Sequence, residues 1–150
     1  MSSSLQADID PPSRCNCARI RRAARSITRY YDACLAPSGI GTNQYTILGY
    51  LKHRGPMRIA ALGNLLAMDP ATVGHNLRPL ERDGFLTIVP DESDRRARLI
   101  SITEDGLAKV AETHERWMAA QRNFEEAFGQ EEARALRHML DAVADQRLKV

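Results

Sequence analysis

The sequence of 150 residues lacks several features that would place it in a common class of protein. No apolar run approaches the length of a membrane-spanning helix, and the first residues lack the basic-then-apolar layout of a signal peptide. Aromatic residues make up only 5% of the chain, whereas arginine and alanine are frequent, which favours a helical protein. We expect a cytoplasmic protein with a disordered leader over residues 1–13 and a single domain over residues 14–150.

The sequence also lacks the motifs that accompany catalysis. It contains no glycine loop that would cradle a phosphate, no G-x-S-x-G motif and no histidine pair at zinc-binding spacing. A lone C-x-C pair is too weak a pattern to predict a metal site. The sequence therefore predicts a protein that is not an enzyme and that uses no cofactor and no metal.

The segment from Met57 to Gly106 is the most informative part of the chain. Helical spacing of apolar residues is followed by a break at residues 68–70, and a second helix is predicted from Ala71 to Asp83. Two β-rich runs, over residues 85–89 and 97–102, enclose a charged loop. This order predicts a winged helix-turn-helix, so we expect a DNA-reading part over about residues 42–102. Because the net charge is only +2, the basic surface must be local.

The second helix carries the predicted base contacts. Asp69 and Pro70 suit the N-cap and the first helical position. Short hydrogen-bonding side chains beside an arginine suit base edges and phosphates in a major groove, and the predicted contacts are Thr72, His75, Asn76 and Arg78. Pro79 removes an intrahelical hydrogen bond, so we expect a bend or loosening between His75 and Pro79. The alternative is an ordinary solvated amphipathic helix.

The charged loop is predicted to form the wing. Arg95 and Arg96 are expected to contact DNA, one of them in a narrow minor groove, with Asp94 orienting one of the two. An ordinary charged hairpin tip, which protects a sheet edge from aggregation, is the alternative.

Long helices are predicted at both ends of the chain, over about residues 14–36 and 104–148. Thr42 is expected to cap a second helix that begins at Asn43, and Thr103 a long helix that ends at about Phe128, before a last helix. Leu107 to Phe128 show a heptad-like seam, and Ala133, Leu136, Met139, Leu140 and Val143 are expected to face inward. These apolar seams predict a homodimer on a palindromic operator, with a purely intramolecular helix pair as the alternative.

Three stretches resemble the MarR family of transcriptional regulators: the recognition segment over residues 68–86, the D-x-x-D-R-R-x-R wing from Asp91 to Arg98, and the run from Ile102 to Gly106. The resemblance implies a mainly α (α+β) winged helix-turn-helix fold with long dimerisation helices. It also implies a transcriptional repressor that binds double-stranded DNA. A small, often aromatic effector would release the repressor from the DNA. Val89-Pro90 departs from the family, which often has a basic residue there.

Such effectors bind where the dimer helices meet the reading part. Here that region would include Ile27, Tyr30, Tyr31, Tyr45, His114 and Trp117. For each of these side chains, a simple core role is the alternative.

Two other functions stay open at this point. Cys15 and Cys17 lie among arginines at the start of a helix, which favours the reactive thiolate and suits a redox-sensing regulator of the same fold. Cys34 falls on the apolar stripe and is predicted to be core. The second alternative is a winged-helix protein-interaction module that does not bind DNA.

Overall fold

The computed structural model describes residues 11–146. The helices, in chain order, are α1 (Asn16–Leu35), α2 (Thr42–Arg54), α3 (Ile59–Leu66), α4 (Pro70–Arg82), α5 (Glu104–Phe128) and α6 (Gln130–Ala144). Three strands, β1 (Met57–Arg58), β2 (Leu86–Pro90) and β3 (Arg98–Ile102), form an antiparallel sheet in the order β1-β3-β2. The predicted mainly α, winged helix-turn-helix architecture is confirmed.

The chain termini differ from the predictions where they are described. Most of the expected disordered leader, and the expected end of the last helix at Leu148, lie outside the described residues. Pro12–Arg14 form one turn of 3-10 helix rather than irregular chain. Within the described residues, α6 ends at Ala144.

The core lies in the reading part, between α2, α3, α4 and the sheet. It consists of aliphatic side chains that are at most 5% exposed: Ile40, Ile47, Leu48, Leu51, Leu62, Val73, Leu77, Leu80, Leu86, Ile100 and Val110. The predicted stripe of α4 (Val73, Leu77 and Leu80) is therefore confirmed. Since Val110 is the only one of these core residues on α5, the long helix meets the reading part near its own first turns.

Strand β1 was not predicted, because two residues are too few for a periodic pattern. Met57 pairs with Ile100 and Arg58 with Leu99, so β1 covers the free edge of β3. Strand β2 begins at Leu86 and β3 at Arg98, each one residue later than predicted.

The start of α2 also differs from the prediction. Gly41, not Thr42, occupies the N-cap, and the Gln44 side chain returns to accept from the Gly41 amide over 3.1 Å. Thr42 is already helical, and its amide donates to Asp32 Oδ1 of α1 over 2.7 Å. A side chain from a different helix thus satisfies one of the free amides at this helix end.

The predicted seams are only partly buried within one chain. On α5 the buried positions include Val110, Thr113 and Ala120, whereas Leu107 and Phe128 are 41% and 49% exposed. On α6 only Ala133 is buried, and three expected inward residues are largely exposed: Met139, Leu140 and Val143. A single helix pair covers one narrow stripe on each helix, so the rest of this apolar surface is open in the isolated chain.

Candidate DNA-binding site and ligand cavity

The first turn of α4 is organised by its cap. The Asp69 carboxylate accepts from the Thr72 amide at 2.9 Å and from the Thr72 hydroxyl at 2.6 Å. Both hydrogen bonds hold the pKa of the Asp69 carboxyl below its usual range, and the one from the Thr72 hydroxyl has the larger effect. Asp69 therefore stays ionised at neutral pH and stabilises the amino end of the helix.

The outward face of α4 brings the predicted base contacts together. Thr72, His75 and Arg78 are exposed, and Asn76 is half-buried. The Asn76 side-chain amide donates to the Thr72 carbonyl oxygen over 2.9 Å, which leaves the Asn76 side-chain carbonyl directed away from the helix backbone. The face thus presents both donors and acceptors, as base edges require.

The helix continues through Pro79 as far as Arg82 without a break. Pro79 lies in the last turns of α4, so the missing amide falls after the residues that are predicted to contact bases. The expected bend or loosening near His75 to Pro79 stays a prediction.

The turn between α3 and α4 depends on a close approach that the sequence pattern did not reveal. Ala67 adopts a left-handed conformation, and the Met68 amide donates to the Gly63 carbonyl oxygen over 2.9 Å. A Cβ atom on Gly63 would lie 3.2 Å from the Met68 carbonyl oxygen and 3.4 Å from Val73 Cγ2. Gly63 therefore allows the first helix of the motif to pack directly against the recognition helix.

The wing is a hairpin loop held mainly by its own backbone. The Asp91 amide donates to the Ala97 carbonyl oxygen over 3.0 Å, and the Ala97 amide to that of Asp94 over 2.8 Å. Asp94 Oδ1 accepts from the Arg96 backbone amide at 3.1 Å. Asp94 thus contacts the main chain of Arg96, and its role in orienting an arginine side chain toward DNA stays a prediction. Arg95 and Arg96 are both exposed.

Arg58 is a residue of this site that the sequence reasoning missed. From β1, its Nε donates to Asp91 Oδ2 over 2.7 Å, and its Nη2 donates to Ser93 Oγ over 3.1 Å. The backbone amide and the hydroxyl of Ser93 also donate to Asp91. The hydrogen bonds from Ser93, and to a smaller extent the one from Arg58, hold the pKa of the Asp91 carboxyl below its usual range. The base of the wing is therefore tied to the edge strand of the sheet.

A groove of about 580 Å³ runs between the helix-turn-helix and the wing. The residues that line it include the charged Arg58, Asp94, Arg96 and Arg98 and apolar residues such as Ile59 and Val73. The charge of Arg58 is paired with Asp91, so Arg96 and Arg98 supply the local positive charge beside the recognition helix that DNA binding requires of a chain with a net charge of only +2.

A second, smaller cavity of about 230 Å³, which is wide open to the protein surface, lies between α1, α2 and α5. Of the predicted ligand residues, Ile27, Tyr31 and Trp117 line it. Tyr45 and His114 form the adjoining wall: the Tyr45 hydroxyl lies 3.0 Å from His114 Nδ1, and both rings lie about 6 Å from the Trp117 ring. Five of the six predicted residues therefore lie in or beside one cavity.

Tyr30 is the exception. Its hydroxyl donates to the Ala120 carbonyl oxygen over 3.3 Å, and its ring packs edge-on against Tyr31 with the ring centroids 5.5 Å apart. Tyr30 supports the contact between α1 and α5 and does not line the cavity. The residues missed by sequence reasoning are Thr28, Thr42 and Gln121, whose polar side chains also line it.

The two predicted redox cysteines lie at the amino end of α1. Cys15 is the N-cap, its sulfur accepts from the Ala18 amide over 3.4 Å, and both Cys15 and Cys17 are exposed. Cys34 is only partly buried, so the prediction that it lies in the core is confirmed only in part. Within residues 11–146, no three histidine, cysteine or acidic side chains are grouped as metal ligands would be. In the same range, no helix has the length and apolar character needed to span a bilayer.

The chain matches known proteins over most of its length. A model of the MarR family matches residues 40–97. The HTH-type transcriptional regulator PecS of Dickeya dadantii (strain 3937) is 28% identical over 139 residues, which cover 91% of this chain and 84% of PecS. The transcriptional regulator MOSR of M. tuberculosis, crystallised in complex with DNA, is 26% identical with a TM-score of 0.75, covering 89% of this chain and 99% of MOSR.

A third protein has a fold similar to that of this chain. The PcaV transcriptional regulator from Streptomyces coelicolor, crystallised in complex with its natural ligand, superposes with a TM-score of 0.80 at 19% identity, covering 93% of this chain and 99% of PcaV.

The recognition helix, the wing and the arginine-lined groove define a winged helix-turn-helix DNA-binding protein. Residues 40–97 match the MarR family, and the chain is a DNA-binding transcriptional regulator like the relatives that match it over most of its length. The matched proteins are regulators, which confirms the prediction that the chain is not an enzyme. The same matches argue against the alternative of an interaction module without DNA binding.

Proposed function

We propose that the protein is a homodimeric repressor that binds a palindromic operator and is released by a small aromatic ligand. The observation that carries this proposal is the division of α4 into two faces. Val73, Leu77 and Leu80 are 1% exposed, whereas Thr72, His75 and Arg78 face outward beside the wing. A helix anchored in this way can lie in the major groove with Thr72, His75, Asn76 and Arg78 toward base edges and phosphates.

The wing supplies the second set of DNA contacts in this proposal. Because Asp94 holds the backbone of Arg96, the loop is ordered before DNA arrives and loses less conformational freedom on binding. Arg95 and Arg96 project from this loop, and a guanidinium there can enter the minor groove or contact its phosphates.

Dimerisation is supported by the apolar surface at the two chain ends. Phe128, Met139, Leu140 and Val143 are each between 44% and 59% exposed, and Ile20 on α1 is 40% exposed. A twofold-related copy that covers this surface would place two recognition helices about one DNA turn apart, roughly 34–36 Å. The operator would then be a palindrome.

Ligand release is supported by the position of the 230 Å³ cavity between α1, α2 and α5. Lys109 of α5 connects this region to the reading part: its Nζ donates to the Ser38 carbonyl oxygen over 3.0 Å and lies 5.5 Å from the centre of the Phe85 ring. A ligand that favours one arrangement of α1 and α5 would therefore alter the placement of α4. Differential affinity for two dimer arrangements is sufficient for such a switch.

The test is a DNA-binding titration against the promoter region beside the protein's own gene, at several salt concentrations. We expect selective binding with a steep salt dependence, and Arg96→Ala should reduce the slope by about one unit for a lost phosphate contact. Arg122→Ala, an exposed arginine on α5, is the control and should keep the wild-type slope. Weak, unselective binding to this region and to a genomic fragment library would contradict the proposal.

A thiol-based switch is the second candidate, favoured by the exposed Cys15 and Cys17 at the start of α1. Peroxide would oxidise a thiolate there to a sulfenic acid. If this switch operates, the double variant Cys15→Ser, Cys17→Ser should bind operator DNA normally and lose peroxide sensitivity. Unchanged sensitivity in that variant would exclude it.

A further inference from the structure

The chain passes between the long helices and the reading part at two places. Residues 36–41 lead from α1 into α2, and Thr103 leads from β3 back into α5. The first connection contains Gly41 and also Gly39, which adopts a positive φ of 80°. Two glycines in so short a connection would allow the reading part to turn relative to α1 and α5, unless other contacts hold it.

Asp32 of α1 holds the end of this connection. Its Oδ1 accepts from the Thr42 amide over 2.7 Å, and a Cβ atom on Gly41 would lie only 3.2 Å from the same oxygen. The carboxylate therefore lies directly against the first residues of α2. A charge-assisted hydrogen bond of this kind is short and directional, so it fixes the direction in which α2 leaves α1.

Lys109 of α5 holds the connection from the other side. Its ammonium donates to the Ser38 carbonyl oxygen over 3.0 Å and to Glu112 Oε2 over 2.7 Å, and it lies 5.5 Å from the centre of the Phe85 ring. Ser38 is only 4% exposed, so water cannot easily replace this donor. Phe85 follows the recognition helix closely, and its amide donates to the Leu80 carbonyl oxygen over 2.8 Å. One ammonium group thus joins the end of α1, the start of α5 and the end of the recognition segment.

These contacts lie outside the core that shapes the recognition helix. Val73, Leu77 and Leu80 pack within the reading part, and neither Asp32 nor Lys109 belongs to that cluster. Loss of either contact should therefore leave the reading part folded, while the angle between it and the long helices becomes less restricted. In a dimer built on the long helices, that angle sets the distance between the two recognition helices.

We infer that Asp32 and Lys109 are positioning residues that fix the separation of the two recognition helices and thereby set the half-site spacing that the protein accepts in its operator. The inference rests on the proposed homodimer and palindromic operator, and it assigns the spacing preference to particular contacts.

Operators with altered spacing test this role. The full-length protein is titrated with its selected operator and with two derivatives in which one central base pair is inserted or deleted. We expect the wild type to bind the derivatives at least about tenfold more weakly, because a rigid dimer must deform the DNA to reach both half-sites. The ratio of these affinities is the readout, since partial unfolding weakens binding to every operator equally and leaves the ratio unchanged.

Two variants remove one contact each. Lys109→Met loses the ammonium and keeps an apolar side chain, and Asp32→Ala loses the acceptor for the Thr42 amide. Since a hydrogen bond to a charged group contributes roughly tenfold, the discrimination between spacings should fall to less than about threefold in each variant. Lys109→Arg keeps a donor and Asp32→Asn keeps an acceptor, so both should retain most of the wild-type discrimination.

Lys52→Met is the matched control, because Lys52 is an exposed lysine of α2 that lies outside these contacts. It should keep the wild-type ratio of affinities. Wild-type discrimination in Lys109→Met or in Asp32→Ala would overturn the role of that residue. Equal binding of the wild type to all three operators would overturn the inference as a whole.

A second measurement needs no operator. A nitroxide label on Glu81→Cys, an exposed position of the recognition helix, reports the distance between the two recognition helices by double electron–electron resonance, once the three native cysteines are replaced by serine. We expect one narrow distance distribution in this labelled parent and a broader one when Lys109→Met is added. Equal distributions would overturn the inference. The expected broadening in a protein without selective operator binding would instead contradict only the proposed repressor function.

Discussion

Gly106 lies in the first turn of α5, where that helix contacts the chain that leaves the recognition helix. A Cβ atom at this position would lie 2.0 Å from the Phe85 carbonyl oxygen and 2.7 Å from Ile102 Cγ1, whereas real Cβ atoms essentially never come within 3.0 Å of another heavy atom. The same Phe85 oxygen accepts from the Thr103 amide over 3.1 Å, and the Thr103 hydroxyl donates to the Gly84 carbonyl oxygen over 2.6 Å. In Gly106→Ala this contact must therefore open by about an ångström.

The expected cost follows from three contributions. Overpacking against a backbone atom costs about 3 kcal/mol, at the upper end of the usual range, because a carbonyl group cannot rotate away as a side chain can. Loss of the Thr103 hydrogen bond adds about 1 kcal/mol, and the better helix propensity of alanine offsets about 1 kcal/mol. The variant should lose about 3 kcal/mol of unfolding free energy, which corresponds to a fall in Tm of roughly 6–12 °C for a chain of this size.

Urea denaturation at one fixed protein concentration measures this loss. Gly49→Ala is a matched control, because Gly49 lies inside α2 and a Cβ atom there would meet nothing within 4 Å. This control should gain about 0.5–1 kcal/mol from helix propensity alone. A loss of less than about 1 kcal/mol in Gly106→Ala would refute the claim that α5 requires this close approach.

Three further predictions concern the wing, the dimer and the helix cap. Arg58→Gln removes the ion pair with Asp91, so operator affinity should fall by about 1.5- to 5-fold, the range for an exposed pair, with an unchanged salt slope in DNA titrations. Leu140→Glu places a charge on the exposed apolar surface of α6 and should shift the protein toward monomer in sedimentation velocity. Asp69→Asn should destabilise the protein at pH 7 in urea denaturation. The hydroxyl of Thr72 lowers the folded-state pKa of Asp69, so the ionised carboxylate contributes its full stabilisation above the usual aspartate pKa. The difference in unfolding free energy between Asp69→Asn and wild type should therefore vanish as the pH falls through the lower pKa of the folded state.

Each of these predictions has an outcome that contradicts it. A salt slope lowered by one unit in the Arg58 variant would show that Arg58 itself contacts a phosphate. Ala135→Glu, on the opposite face of α6, should remain dimeric, and equal behaviour of the two glutamate variants would argue against an interface at Leu140. A difference between Asp69→Asn and wild type that stays constant down to low pH would contradict the role of the ionised cap.

Much of the local structure could be predicted because it depends on neighbouring residues. Asp69 and Thr103 each accept from an amide three residues further on, so both helix starts are visible as short patterns in the sequence. The buried stripe of α4 follows from helical periodicity, and the outward face with the predicted DNA contacts is its complement. The same argument failed at Thr42, because the deciding partner of that helix end is Asp32 on another helix.

The sequence by itself therefore determined the order of the elements, the recognition helix and the residues that face away from its core. Only the tertiary structure decided which distant residues meet. Arg58 and Asp91 are 33 positions apart, and Tyr31 and Gln121 are 90 apart, so no local pattern relates them. Gly106 is similar, since the need for glycine arises from a carbonyl oxygen brought against α5 by the fold. Capping and periodicity act within a few residues, whereas these contacts exist only after the helices and the sheet have packed.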